Sequence, residues 1–171
     1  METLDAIAAR RNIRAYTDEA IPGDVLHAIL DAARRAPSAS NRQWWDLVVV
    51  TEREQLKGLS GVWRGAGHVA TSAATVAICA PRQESTFLHE MMHFDLGQLA
   101  MSLILAATDL GVGTGHTAVG EQDLARQILG FPETHFCAYL VALGYPKDVT
   151  IKPLKKHNRR AFEDVVHMGR F

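Results

Sequence analysis

Apolar residues along this chain follow two rhythms. Spacings of three and four predict helices, and unbroken runs bounded by turn residues predict buried strands. Val25, Leu26, Ile29, Leu30 and Ala33 mark one face of a helix over Pro22–Ala36, which opens on Pro22 and Asp24 and closes at Pro37. Three runs predict strands: LVVVT (Leu47–Thr51), ATVAICA (Ala74–Ala80, stopped by Pro81) and FCAYLVAL (Phe136–Leu143). Short helices are expected at Glu52–Leu59 and at Glu121–Leu129, the second ended by Gly130. Ser38–Gln43 and Gly58–Gly67 read as loops, and Val165 and Val166 suggest a last strand near the end of the chain.

The longest periodic segment, Phe87–Leu110, is apolar almost all round (Phe94, Leu96, Leu99, Met101, Leu103, Ile104, Leu105, Leu110). A helix with so little polar surface lies in the middle of something. It would be roughly 36 Å long at 1.5 Å per residue, too long for one small domain to cover on every side, so part of it is expected to meet a second subunit. The glycines of Gly111–Gly115 (GVGTG) are expected to end it. Few short strands around one dominant helix predict an α+β fold: a small mixed or antiparallel sheet packed by helices around a long central helix. No GxGxxG or GxxxxGK follows a predicted strand, which sets aside a Rossmann or P-loop reading.

Bulk properties narrow the classes further. The 171 residues suit one domain spanning 1–171 with a real core. A net charge of −1 gives no overall attraction to nucleic acid or to an anionic membrane, so any anion site must be local. Cys79 and Cys137 sit in apolar runs without a CxxC partner, which fits a reducing cytoplasm better than a disulfide or thiolate-metal site. The amino terminus lacks the charge order of a signal peptide, and there is no uncharged apolar run long enough to span a membrane.

Candidate chemistry lies in three places. Arg10, Arg11 and Arg14 fall within five residues, with Asn12 between them; a helical turn would stack Arg10 and Arg14 on one face. Planar guanidinium forks suit phosphate oxygens, and Arg159 and Arg160 form a second basic cluster within a cationic stretch that includes Lys147, Lys152, Lys155 and Lys156. Both clusters could equally be solvated surface. The serines and asparagine of Ser38–Gln43 could bond a polar ligand edge or simply make turns. His89-Glu90-Met91-Met92-His93 matches HExxH, which on a helix places two imidazoles on one face for zinc with the glutamate as base. A third protein ligand is not evident; His116, Glu121 and His135 are unconstrained possibilities, and the bland reading is a polar helix start. No GxSxG nucleophile elbow occurs.

Several segments, in order, resemble the nitroreductase family of FMN enzymes. ARRNIRAY (Ala9–Tyr16) is similar to its RRSxR phosphate motif. AARRAPSASNRQWWDLVVV (Ala32–Val50) resembles its helix, Pro-Ser loop, QPW and first core strand. DLGQLAMSLILAATDLGVGTG (Asp95–Gly115) resembles its central helix and glycine turn, LVALGYP (Leu140–Pro146) its strand exit, and HNRRAFEDVVHMGRF (His157–Phe171) its KxRKPLEEVVH tail. In this chain Asn12 stands for the usual Ser, Trp44 for the proline of QPW, and Arg160-Ala161 for Lys-Pro; the segment before the long helix is compressed.

The resemblance implies an intertwined homodimer with FMN at the subunit interface and the tail of each chain extended onto its partner. It implies phosphate and ribityl contacts from Arg10, Arg11, Asn12, Arg14 and Arg159, a loop carrying Ser38 and Ser40 that reaches the partner's flavin, and His116 and Thr117 near the ring edge. His157 falls where some members have lysine. No catalytic acid and no metal ligand is assigned. The implied activity is ping-pong transfer of hydride from NAD(P)H to a nitroaromatic, quinone or similar electron-poor acceptor. The alternatives are a zinc hydrolase using His89, Glu90 and His93, and a flavin-binding module without enzymatic activity. The donor (NADH, NADPH or a deazaflavin) and the physiological acceptor are not legible from the residues.

Overall fold

The structure is a computed structural model that describes residues 1–155 and 158–171; the expectations placed on Lys156 and His157 lie outside the described residues. Four strands form one antiparallel sheet: β1 (Asp46–Val50), β2 (Ala74–Pro81), β3 (Gly113–Ala118) and β4 (His135–Gly144), in the order β1-β2-β4-β3. Helices α1 (Thr3–Ala9), α2 (Gly23–Arg34), α3 (Arg53–Leu59), α4 (Thr86–Asp109) and α5 (Gln122–Leu129) surround it. This is the α+β architecture expected, and the sheet is wholly antiparallel.

Side chains alternate across the inner strands, so each face of the sheet has its own core. On one face Val76, Ile78, Val141 and Leu143 meet Ile29 and Ala33 of α2 and Met92, Leu96, Leu99 and Leu103 of α4. On the other, Ala77, Cys79, Cys137, Leu140 and Ala142 meet Leu56, Leu59, Val62, Val69 and Ala125. Strand β2 is covered on both sides, which is why it reads as a continuous apolar run. Register between β2 and β4 shifts at Ile78/Cys79, where Ile78 faces Tyr139 and Cys79 faces Cys137. Helix α4 starts at Ser85, whose hydroxyl accepts from the Leu88 N–H. It buries Met92, Leu96, Leu99, Leu103 and Ala107, and leaves Phe87, Phe94 and Met101 exposed on its other side. An unpartnered apolar flank on the central helix is the feature the sequence pattern predicts.

Three expectations are corrected. First, Gly111, at φ 75°, turns the chain after α4, and Gly113-Thr114-Gly115 opens strand β3. Glycine serves there as a close-approach residue: a Cβ on Gly115 would lie 2.6 Å from the Ile13 carbonyl oxygen, and one on Gly113 3.0 Å from the Ile13 side chain. Second, Arg10–Arg14 is not a helical turn. Helix α1 stops at Ala9, Arg10 has extended backbone (φ −59°, ψ 134°), and Asn12 bridges Thr114 of β3 in parallel. Third, Val165 and Val166 form no strand. A 3-10 turn over Phe162–Asp164 precedes an exposed tail, because a strand needs an edge to pair with and the tail meets none among the described residues of its own chain.

Candidate functional site

The segment from Ala8 to Thr17 ties the two ends of the chain together. On one side Ile13 N–H donates to the Thr114 carbonyl at 2.7 Å. On the other, Leu154 N–H donates to Ala8, Lys147 N–H to Ala15, and Thr17 N–H to Tyr145. Arg11 strengthens this seam, its Nη2 donating to the Thr150 carbonyl at 2.6 Å. Tyr16 is buried beneath it, its hydroxyl donating to the Ile13 carbonyl at 2.6 Å, and burial pushes its phenol well above the ordinary value. Gly144 makes room for that ring, since a Cβ there would lie 2.7 Å from it.

The seam brings Arg159 of the second basic cluster beside Arg10 and Arg11 of the first. A cavity of about 340 Å³ is lined by Ile7, Arg10, Arg11, Asn12, Leu154, Asn158 and Arg159. Arg10, Arg11 and Asn12 face this cavity together, while Ile13 is buried against β3. Arg14 stands with Arg11 and Asn12 on a neighbouring hollow that also includes Asp148. The arginines thus converge, but on an extended strand instead of a helix face, and Arg11 spends part of its donor capacity on backbone carbonyls.

His116 lies on the α4 side of β3, where it lines an apolar cavity of about 220 Å³ with Tyr139, Val141, Gly97, Ala100, Met101 and Ile104. Burial, and then the positive charges of Arg14 and Arg10 with His68 behind them, hold the His116 imidazole below its ordinary pKa. Arg10 and Arg14 therefore act on His116 through charge. Thr117 follows the strand alternation to the opposite face, where it is buried; only its backbone borders the His116 side. His68, which carried no sequence signal, packs under β3, and its Nε2 donates to the Gly115 carbonyl at 3.0 Å. Its Nδ1 is buried with no partner among the described residues.

Ser38 and Ser40 lie apart from both cavities, Ser38 at the start of and Ser40 within a 3-10 turn over Ala39–Asn41 that leans on α4. The Ser38 hydroxyl accepts from Gln43 N–H at 2.9 Å, and Ser40, Asn41 and Gln43 all have positive φ. Asp95, buried in α4, accepts from Ala39 N–H at 3.0 Å and from the Trp44 indole N–H at 2.8 Å. The sequence did carry a signal for Asp95, an acidic residue amid the apolar positions of the central helix. The His89 and His93 rings stack edge to face at 4.5 Å beside Phe136. Among the described residues no group of three His, Cys, Asp or Glu is placed to hold a metal ion, so the HExxH pair gains no third ligand.

Comparison with known proteins fits this geometry. Residues 7–75 and 58–145 match the profile of the Nitroreductase family. The chain belongs to the nitroreductase family. It is 35% identical over 151 residues to a candidate NADH dehydrogenase/NAD(P)H nitroreductase of Archaeoglobus fulgidus, covering 86% of this chain and 87% of that one. It is 22% identical over 170 residues to the FMN reductase [NAD(P)H] of Bacillus subtilis, covering 88% of this chain and 68% of that one. Among solved structures, nitroreductase A of Vibrio parahaemolyticus superposes with a TM-score of 0.87 at 25% identity, covering 100% of this chain and 77% of that one. The nitroreductase fold accounts for the antiparallel sheet with its long central helix. No helix among the described residues is long and apolar enough to cross a membrane.

Proposed function

We propose that the protein is an NAD(P)H-dependent oxidoreductase that binds FMN and works as a homodimer. The observation that carries the reading is the convergence of Arg10, Arg11, Asn12 and Arg159, from opposite ends of the chain, around one cavity beside the glycine-rich strand. A phosphate monoester with nearly two negative charges and three acceptor oxygens suits that donor set. The apolar cavity beside His116 suits a flat aromatic ring, and the lowered pKa of His116 keeps a neutral hydrogen-bonding group at its edge near neutrality. When bound, the flavin would supply hydride-transfer chemistry between NAD(P)H and a nitroaromatic, quinone or related acceptor, which is the ping-pong activity proposed here. The protein's own part is to grip the phosphate with arginine and to shape the ring cavity.

Two unpartnered surfaces support the dimer. Phe87, Phe94 and Met101 are exposed on α4, and Phe162, Val165, Met168 and Phe171 are exposed on the tail. A contiguous apolar flank of this kind marks an association surface. In this reading the tail lies on the partner, and the Ser38–Ser40 loop, which lines neither cavity of its own chain, reaches the partner's flavin.

The test is the visible spectrum of the purified protein, then oxidation of NADH and of NADPH with an added nitroaromatic or quinone. A yellow protein that releases about one FMN per chain and turns over both substrates is expected. A protein that takes up no added FMN would refute the reading. FMN without turnover of any acceptor would leave a flavin-binding module.

A further inference from the structure

We infer that Asp95 is a positioning residue that clamps the Ser38–Gln43 loop in the shape that presents its polar groups to the flavin, an inference that rests on the function proposed above. Asp95 is 2% exposed on the inner side of α4. Placing a carboxyl group there is costly unless its oxygens are well satisfied, and no Lys, Arg or His among the described residues forms an ion pair with it. Its hydrogen bonds go to the loop instead. Oδ2 takes the Ala39 N–H at one end and the Trp44 indole N–H at the other, and Oδ1 takes the Gln98 amide at 3.5 Å.

Between those two anchor points the backbone is held where side chains disfavour it. Ser40, Asn41 and Gln43, none of them glycine, have φ of 52°, 54° and 47°. Such conformations persist only where surrounding contacts over-determine them, and they collect at ligand-binding segments. The turn's own bonds, Asn41 N–H to the Ser38 carbonyl and Arg42 N–H to the Ala39 carbonyl, shape it, and the Asp95 clamp with the Ser38 hydroxyl bond to Gln43 N–H ties it down. The outcome is a raised turn whose exposed residues are Ser40, Asn41, Arg42 and Gln43. Trp44, gripped by Asp95, in turn supports Arg42, whose guanidinium carbon sits 4.9 Å from the centre of the indole ring. Trp44 is the residue that departs from the family's QPW, so this chain adds an indole N–H to the clamp that a proline there could not supply.

Asp95→Ala removes both loop bonds. Asp95→Asn keeps one oxygen able to accept them and serves as the conservative rescue. Amide hydrogen exchange across residues 38–44 is read first, on FMN-free protein, followed by FMN affinity and the split of kcat from KM on the loaded enzyme. In Asp95→Ala, exchange in the loop should rise about tenfold or more and FMN affinity should fall about tenfold, as expected when a preorganised contact becomes mobile. Asp95→Asn should return both to within about threefold of the parent. If Asp95→Ala fails to fold, Trp44→Phe removes one of the two bonds while keeping a ring under Arg42, and should give a smaller change in the same direction. Unchanged loop exchange overturns the clamp, and faster exchange with unaltered FMN affinity and kinetics overturns its role in the site. A parent protein that takes up no FMN defeats the flavin reading instead, and the exchange data then decide the clamp alone.

Discussion

Gly115→Ala tests the link between the glycine-rich strand and the proposed phosphate grip. The added methyl would meet the Ile13 carbonyl oxygen at 2.6 Å and two atoms of the His68 ring at 2.9 Å. The nearest obstacle is backbone, which cannot rotate aside as a side-chain tip can, so the Arg10–Arg14 segment must lift from β3. Overpacking of this kind costs about 1–3 kcal/mol. Weakening the 2.7 Å bond from Ile13 N–H to the Thr114 carbonyl adds about 0.5–1.5 kcal/mol. A total of roughly 2–4 kcal/mol lowers Tm by about 4–16 °C in a chain of this size. The lifted segment also carries Arg10, Asn12 and Arg14, and a site works only when its groups stay within about 0.5 Å of their place. Loss of one charge-assisted bond, about 1.5–3 kcal/mol, weakens FMN binding by roughly tenfold to a hundredfold. Circular dichroism melting of the FMN-free protein gives the first quantity, and quenching of flavin fluorescence gives the second. Gly130→Ala is the control. It places a side chain at positive φ (74°), a strain Gly115 does not have, with nothing within 4 Å of the new Cβ, so it should cost about 1–2 kcal/mol of stability and leave FMN affinity unchanged. Gly115→Ala protein that binds FMN like the parent would refute the reasoning, as would Gly130→Ala protein that loses FMN equally.

Further outcomes follow from the same geometry. Arg159→Ala and Arg10→Ala should each weaken FMN binding by about tenfold or more, with a smaller effect at high salt, whereas His93→Ala should leave flavin stoichiometry intact; titration against FMN at two ionic strengths checks all three. Burial holds His93 and His116 below the ordinary histidine value of 6.5, so the unfolded chain binds more protons than the folded one below about that pH. Stability of the FMN-free protein should therefore fall as pH drops through this window and level off beneath the folded-state values; urea midpoints should fall less steeply in a His93→Asn/His116→Asn variant, and an equal slope would exclude these residues as the cause. Cys79 and Cys137 are fully buried, and the hydrogen bond with Cys79, then burial, push the Cys137 thiol upward. Neither should react with a thiol reagent until the protein unfolds, and rapid labelling of the native protein would contradict the packing of that face.

The chain's local order was legible because it follows from local geometry. The apolar faces of α2 and α4, the unbroken run of β2 and the glycine after α5 each leave a periodic or positional mark, since helix and strand repeats decide which side chains meet the core. The resemblance to nitroreductases then drew Arg10, Arg11 and Arg159 into one expectation, which the shared cavity supports. Other features depended on segments far apart in sequence. The glycines of β3 look like a helix stop until Ile13 is laid against them. Arg10 and Arg14 have helical spacing, yet pairing of Asn12 with Thr114 makes the segment extended. Val165 and Val166 have strand propensity but no edge within their own chain. Asp95 stands out in sequence as an acidic residue on an apolar helix, but only the approach of Ala39 and Trp44 shows what it binds. Each of these rests on pairing or close approach between distant segments, and such contacts leave no repeat in the sequence. Periodicity therefore determined the elements, while tertiary contact decided which residues come together at the candidate site.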